Sequence, residues 1–124
     1  MPKRVLVVDD DENTRRFLTV ALVENGYEAI TAEDGDEGYR KVQETTPDLI
    51  LLDVMMPKKT GFEVCQEVRQ DESLKGTLIL MLTAKGRETD VVKGMALGAN
   101  AYMTKPFSTR DLVGRVRELL EDAD

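Results

Sequence analysis

Five short apolar runs, recurring at intervals of about 20 to 30 residues, constrain this chain more than any other feature. They lie at Arg4 to Val8, Glu28 to Ile30, Leu49 to Leu52, Leu78 to Leu82 and Ala101 to Met103. Helical patterns fill the gaps. The first puts Phe17, Leu18, Ala21 and Leu22 on one stripe and stops at Gly26, which can take the left-handed conformation after a last turn. Three later helices open on a side-chain oxygen followed three residues on by an acid: Asp34 with Glu37, Thr60 with Glu63, and Ser108 with Asp111. The helix between the last two strands spans about Glu88 to Leu97 and ends at Gly98, and the final helix carries Leu112, Val113, Val116, Leu119 and Leu120 at helical spacing.

Strands that alternate with helices predict an α/β domain, a parallel sheet with helices on both faces joined by right-handed crossovers. The runs VLVV and LILL are continuous rather than alternating, which suits central strands buried on both sides. Glu28 to Thr31 reads as an edge. A chain of 124 residues is expected to form one domain, 1–124, without an internal linker.

Composition removes whole classes of function. A formal net charge of −7 argues against direct contact with nucleic acid or an anionic membrane, whose surfaces are themselves negative. The start MPKRVLVVDD lacks the length and cleavage pattern of a signal peptide, and no apolar run approaches a membrane span, so a cytoplasmic protein is expected. Cys65 is the single cysteine, which excludes an internal disulfide and a thiolate zinc cluster, and it reads as filler on the buried face of the third helix. The absence of histidine removes Ser-His and Cys-His catalysis and histidine-ligated metals. Carboxylates, hydroxyls and lysines must do the chemistry.

Those groups collect where ligands bind in such sheets, outside the carboxyl ends of the strands. The first strand ends in Asp9 and Asp10, the third in Asp53, the fourth in Thr83 and the fifth in Lys105. Two or three carboxylate oxygens, a backbone carbonyl and waters make a hard-oxygen site that favours magnesium or manganese over zinc. A cation there would offset the repulsion between the carboxylates. Lys105 and Thr83 can hold phosphoryl oxygens as a point charge and a donor, leaving one carboxylate as nucleophile. Asp11 reads instead as the cap of the first helix. Met55 and Met56 read as loop packing, Lys58 and Lys59 as solvated loop charges, and residues 121–124 as a fraying end.

From end to end, the motifs VLVVDDD, PDLILLDVMMPKKTGFEV, LILMLTA and GANAYMTKPF resemble the receiver domain of bacterial two-component response regulators. The resemblance implies a flavodoxin-like sheet in the order 2-1-3-4-5, for which a member of that family is a standard example. It implies that Asp53 is the phosphoacceptor, supplied by a sensor histidine kinase or a histidine phosphotransfer protein. Asp10, Asp53 and the Met55 backbone carbonyl would be direct Mg2+ (or Mn2+) ligands, with Asp9 acting through water. Thr83 and Lys105 would hold the phosphoryl oxygens, and Thr83 with Tyr102 would form the switch that changes the face of helix four, strand five and helix five for a downstream effector. A cis peptide between Lys105 and Pro106 is also implied. No independent substrate turnover is expected beyond self-phosphorylation and self-dephosphorylation.

The chain departs from the family pattern at two places. Transcription-class members often carry an acidic pair before the switch tyrosine for symmetric dimer salt bridges; here those positions are Asn100 and Ala101, so we expect a monomer or a weak phosphorylation-dependent dimer. Met55 and Lys85, at the positions that tune hydrolysis, are ill suited to orienting water, which predicts a phosphoryl group lasting minutes or longer. A haloacid-dehalogenase-like phosphatase is the competing enzyme, since Asp9 and Asp11 form an Asp-x-Asp, but it leaves Asp53 unexplained and needs a further acidic pair after Lys105. A receiver-like module that binds partners without phosphorylation is the third reading. The ending a few residues after the last helix is compatible with a single-domain regulator or with a receiver joined to an output portion.

Overall fold

The computed structural model describes residues 2–84 and 87–122, so Lys85 and the last two residues of the acidic end lie outside it. Five strands, β1 (Arg4–Val8), β2 (Glu28–Ala32), β3 (Leu49–Asp53), β4 (Leu78–Ala84) and β5 (Ala101–Lys105), alternate with five helices, α1 (Glu12–Glu24), α2 (Gly35–Thr45), α3 (Gly61–Gln70), α4 (Glu88–Ala96) and α5 (Thr109–Asp122). The sheet is parallel throughout in the order β2-β1-β3-β4-β5, as the resemblance implied. Strand residues point alternately to opposite faces. Leu6, Val8, Ile50, Leu52, Ile79 and Met81 pack with Val42 of α2 and Val64, Cys65 and Val68 of α3. Val5, Val7, Leu49, Leu51, Leu80 and Leu82 pack with Leu18 and Leu22 of α1 and Leu112, Val116 and Leu120 of α5.

The helix starts follow the sequence closely. The Asp11 carboxylate accepts from the Asn13 amide, and Asp34, Thr60 and Ser108 accept from the amides of Glu37, Glu63 and Asp111. Gly26 and Gly98 take positive φ values of 90° and 110° after their helices. Several strands run past their apolar cores, because the backbone ladder continues whatever the side chain: Asp53 pairs in register with Leu82, and Lys105 with Ala84. That extension carries the polar residues to one edge as part of the sheet.

Four details differ from expectation. Phe17 is 44% exposed, because Leu18, Ala21 and Leu22 already fill the stripe that α1 turns inward. Of the two loop methionines only Met56 is buried, whereas Met55 is exposed. Lys58 and Lys59 are paired rather than merely solvated, Lys58 with Asp34 at 3.5 Å and Lys59 with Glu67 of α3. Glu121 still belongs to α5, within reach of Arg117.

Candidate functional site

β1 ends by driving Asp9 fully into the interior, while Asp10 emerges to solvent. Asp9 uses both oxygens: Oδ1 accepts from the Asp11 amide at 2.9 Å and Oδ2 from Lys105 Nζ at 2.8 Å. Its carbonyl also accepts from Arg15 Nη1 at 2.8 Å. Asp53, last residue of β3, is 8% exposed and lies 3.5 Å from the same Lys105 ammonium. Lys105 reaches them from β5, immediately before a cis peptide to Pro106.

This packing sets the charge states. Burial, and then the negative charges of Asp9 and Asp10, push Asp53 up to about 6, against the opposing pull of Lys105 and the Met55 amide. Lys105 is also raised: burial works against its charge, but its hydrogen bond to Asp9 and the charges of Asp53 and Asp9 outweigh it. Ligand oxygens of Asp9, Asp10 and Asp53 lie within 4.8 Å of one another. Three carboxylates facing one ammonium leave negative charge uncompensated, and an all-oxygen set suits a hard divalent cation. Asp9 carries a short hydrogen bond on each oxygen, whereas the exposed Asp10 carboxylate is the more open of the three to such an ion.

Thr83, near the end of β4, is 2% exposed and its hydroxyl donates only weakly, to the Ala84 carbonyl at 3.3 Å. It borders a groove of about 290 Å³ that Arg87, Glu88, Val91, Thr104 and the half-exposed Tyr102 also line. Asp11 does not join the carboxylate cluster. Its oxygens accept from the Asn13 amide and the Thr14 hydroxyl at 3.1 and 2.9 Å, so the Asp-x-Asp of the phosphatase reading is divided between the site and a helix cap.

A family model described as "Response regulator receiver domain" matches residues 5–117. The chain belongs to this family. The receiver is 48% identical over its full length to the alkaline phosphatase synthesis transcriptional regulatory protein PhoP of Bacillus subtilis, covering 51% of that protein. It thus spans about half the length of the curated relatives it matches. Among solved structures it is similar to the chemotaxis response regulator CheY4 of Vibrio cholerae, with a TM-score of 0.92 and 38% identity over 97% of this chain and all of that one. The Francisella response regulator 1452 receiver domain gives 0.90 and 30%, over 98% of this chain and 99% of the other. The receiver is a signalling domain of two-component systems, and its sheet is that of the family's solved structures.

One residue that shapes the site has no distinctive signal in the sequence. Arg15 differs in nothing from its neighbour Arg16, yet only Arg15 reaches the Asp9 carbonyl. Asn100 lies away from the site, just before β5, where it ties together the opposite edge of the sheet. Its Oδ1 accepts from the Ile79 amide and from Arg69 Nη2, both at 2.8 Å, while Arg69 also donates to the Gly98 and Thr77 carbonyls.

Proposed function

We propose that Asp53 is the phosphoacceptor of this receiver and takes its phosphoryl group from a phosphohistidine on a sensor kinase or histidine phosphotransfer protein. The supporting observation is a nearly buried strand-end carboxylate, raised to about 6 yet still ionised at neutral pH, beside a lysine and two further carboxylates. A carboxylate oxygen of Asp53 attacks phosphorus, the N–P bond breaks, and the electron pair stays on the imidazole nitrogen, which picks up a proton from water. Lys105 Nζ supplies positive charge where phosphoryl oxygens gather, and Thr83 is the hydroxyl donor for the same group. Asp10, Asp53 and the Met55 carbonyl would hold Mg2+ (or Mn2+), with Asp9 acting through water. When bound, the ion supplies charge neutralisation for the carboxylates and the phosphoryl oxygens.

Phosphorylation adds about −1.5 to −2 of charge beside Thr83. Thr83 turns toward the new group, and Tyr102, on the same groove, follows it. The face of α4, β5 and α5 then changes its affinity for a downstream effector. PhoP is by name a transcriptional regulatory protein; in a protein of that kind DNA would be contacted by the output portion, not by this acidic receiver. Asn100 is occupied by Arg69 and the Ile79 amide, which supports a monomer or a weak phosphorylation-dependent dimer. A free buried Cys65 suits the reducing cytoplasm, and the family match over 5–117 supports one receiver over 1–124.

Incubation with Mg2+ and acetyl phosphate, followed by intact mass measurement, should give one phosphoryl adduct that Asp53→Asn abolishes. Steady phosphate release from unrelated phosphomonoesters would favour a phosphatase instead. No adduct at all would favour a passive binding module.

A further inference from the structure

The loop from Val54 to Thr60 carries the Met55 carbonyl, the one backbone group of the proposed cation site. Met55, Pro57 and Lys58 are exposed, whereas Val54 and Met56 are buried in the core and hold the near side of the loop. At its base the Gly61 amide donates to the Val54 carbonyl at 2.9 Å, and a side chain on Gly61 would collide with the backbone of Asp53 and Val54. At its far side the loop rests on the first turn of α2. A Cβ on the buried Gly35 would lie 2.7 Å from the Lys59 carbonyl carbon and closer still to its oxygen. Loop and helix therefore touch backbone to backbone, an approach only glycine permits.

Flanking contacts reinforce the seat. Lys58, at a left-handed φ of 69°, reaches the α2 cap Asp34, and the Lys59 ammonium stands 5.5 Å from the centre of the Tyr39 ring of α2. Helix α2 is itself pressed on β1, since a Cβ on Gly38 would come within 2.8 Å of Val8 Cγ1, one residue before Asp9. One helix thus touches both the strand end that bears Asp9 and Asp10 and the loop that bears Met55.

We propose that the first turn of α2, through Gly35, is a positioning element for the cation site and sets the Met55 carbonyl relative to the carboxylates of Asp10 and Asp53. The inference rests on the metal reading above and deepens it. The Lys58–Asp34 pair is secondary, because the lysine is 62% exposed and water screens it. The backbone contact at Gly35 has no rotamer through which to yield.

The test is Mn2+ binding followed by electron paramagnetic resonance, with folding checked by urea denaturation. Groups that orient metal ligands typically change affinity about 10- to 100-fold when altered, so Gly35→Ala should raise the Mn2+ Kd by ~10-fold or more. Lys58→Met should change it by less than about twofold. Lys59→Gly, which keeps the backbone contact at Gly35 but loosens the chain that transmits it to Met55, should weaken binding in the same direction as Gly35→Ala and carries the test if Gly35→Ala does not fold. In both weakened variants the Mg2+ concentration giving half-maximal phosphorylation should rise while the rate at saturating Mg2+ stays near wild type. Wild-type affinity in a folded Gly35→Ala, or in Lys59→Gly, overturns this inference alone. Failure of the wild-type protein to bind Mn2+ overturns the metal reading and the inference with it.

Discussion

Replacing Asp53, the proposed phosphoacceptor, by asparagine should make the protein more stable. In the folded state Asp53 holds its proton up to about pH 6, whereas in the unfolded chain it releases it near 3.8. The folded protein therefore binds more protons between those values. The contribution of this group is fully present below 3.8 and is lost as pH rises through about 6. At ~1.36 kcal/mol per pH unit, the rise from 3.8 to about 6 corresponds to about 3 kcal/mol of stability lost by pH 7. Little screening discount applies, because the side chain is only 11% exposed. Asparagine keeps the shape and carries no charge, and Lys105 retains Asp9 as its partner at 2.8 Å. Urea denaturation without divalent cations should thus find Asp53→Asn more stable by about 2–3 kcal/mol at pH 7 and by about 1 kcal/mol at pH 4.5. Mg2+ should narrow the gap at pH 7 by stabilising the wild-type protein. Equal stability at pH 7, or an advantage that grows on acidification, refutes the assignment of Asp53 as a strained, desolvated carboxylate.

Arg69→Met should cost about 2 kcal/mol in urea denaturation, since it leaves the Gly98 and Thr77 carbonyls and Asn100 without a charged donor. Unchanged stability would show that water replaces the guanidinium without loss. The phosphoryl group on Asp53 should last minutes or longer in a direct decay assay without phosphatase, because neither Met55 nor Lys85 is suited to orienting an attacking water; loss within seconds would contradict this.

Much of the site was legible because each contributing residue follows a local rule. Asp9, Asp10, Asp53, Thr83 and Lys105 all follow apolar runs, and in a parallel sheet every such run ends at the same edge. The helix caps were legible for a similar reason, as a cap and its target lie two or three residues apart. Phe17 misled because a helical stripe has a width that periodicity alone does not set. Lys58 and Lys59 misled because their partners belong to other elements.

Element order, sheet class and the set of candidate reactive groups were determined by sequence, since they depend on patterns a few residues long and on which residue types are absent, histidine above all. Tertiary structure alone decided what those groups are. Lys105 and Asp9 lie 96 residues apart yet share a hydrogen bond, Asp11 spends its oxygens on the first turn of α1, and Asp53 is pushed to about 6. Desolvation and Coulomb energy depend on distances through space. The three adjacent aspartates, alike in sequence, therefore emerge as a buried acceptor for lysine, an exposed carboxylate open to a cation, and a helix cap.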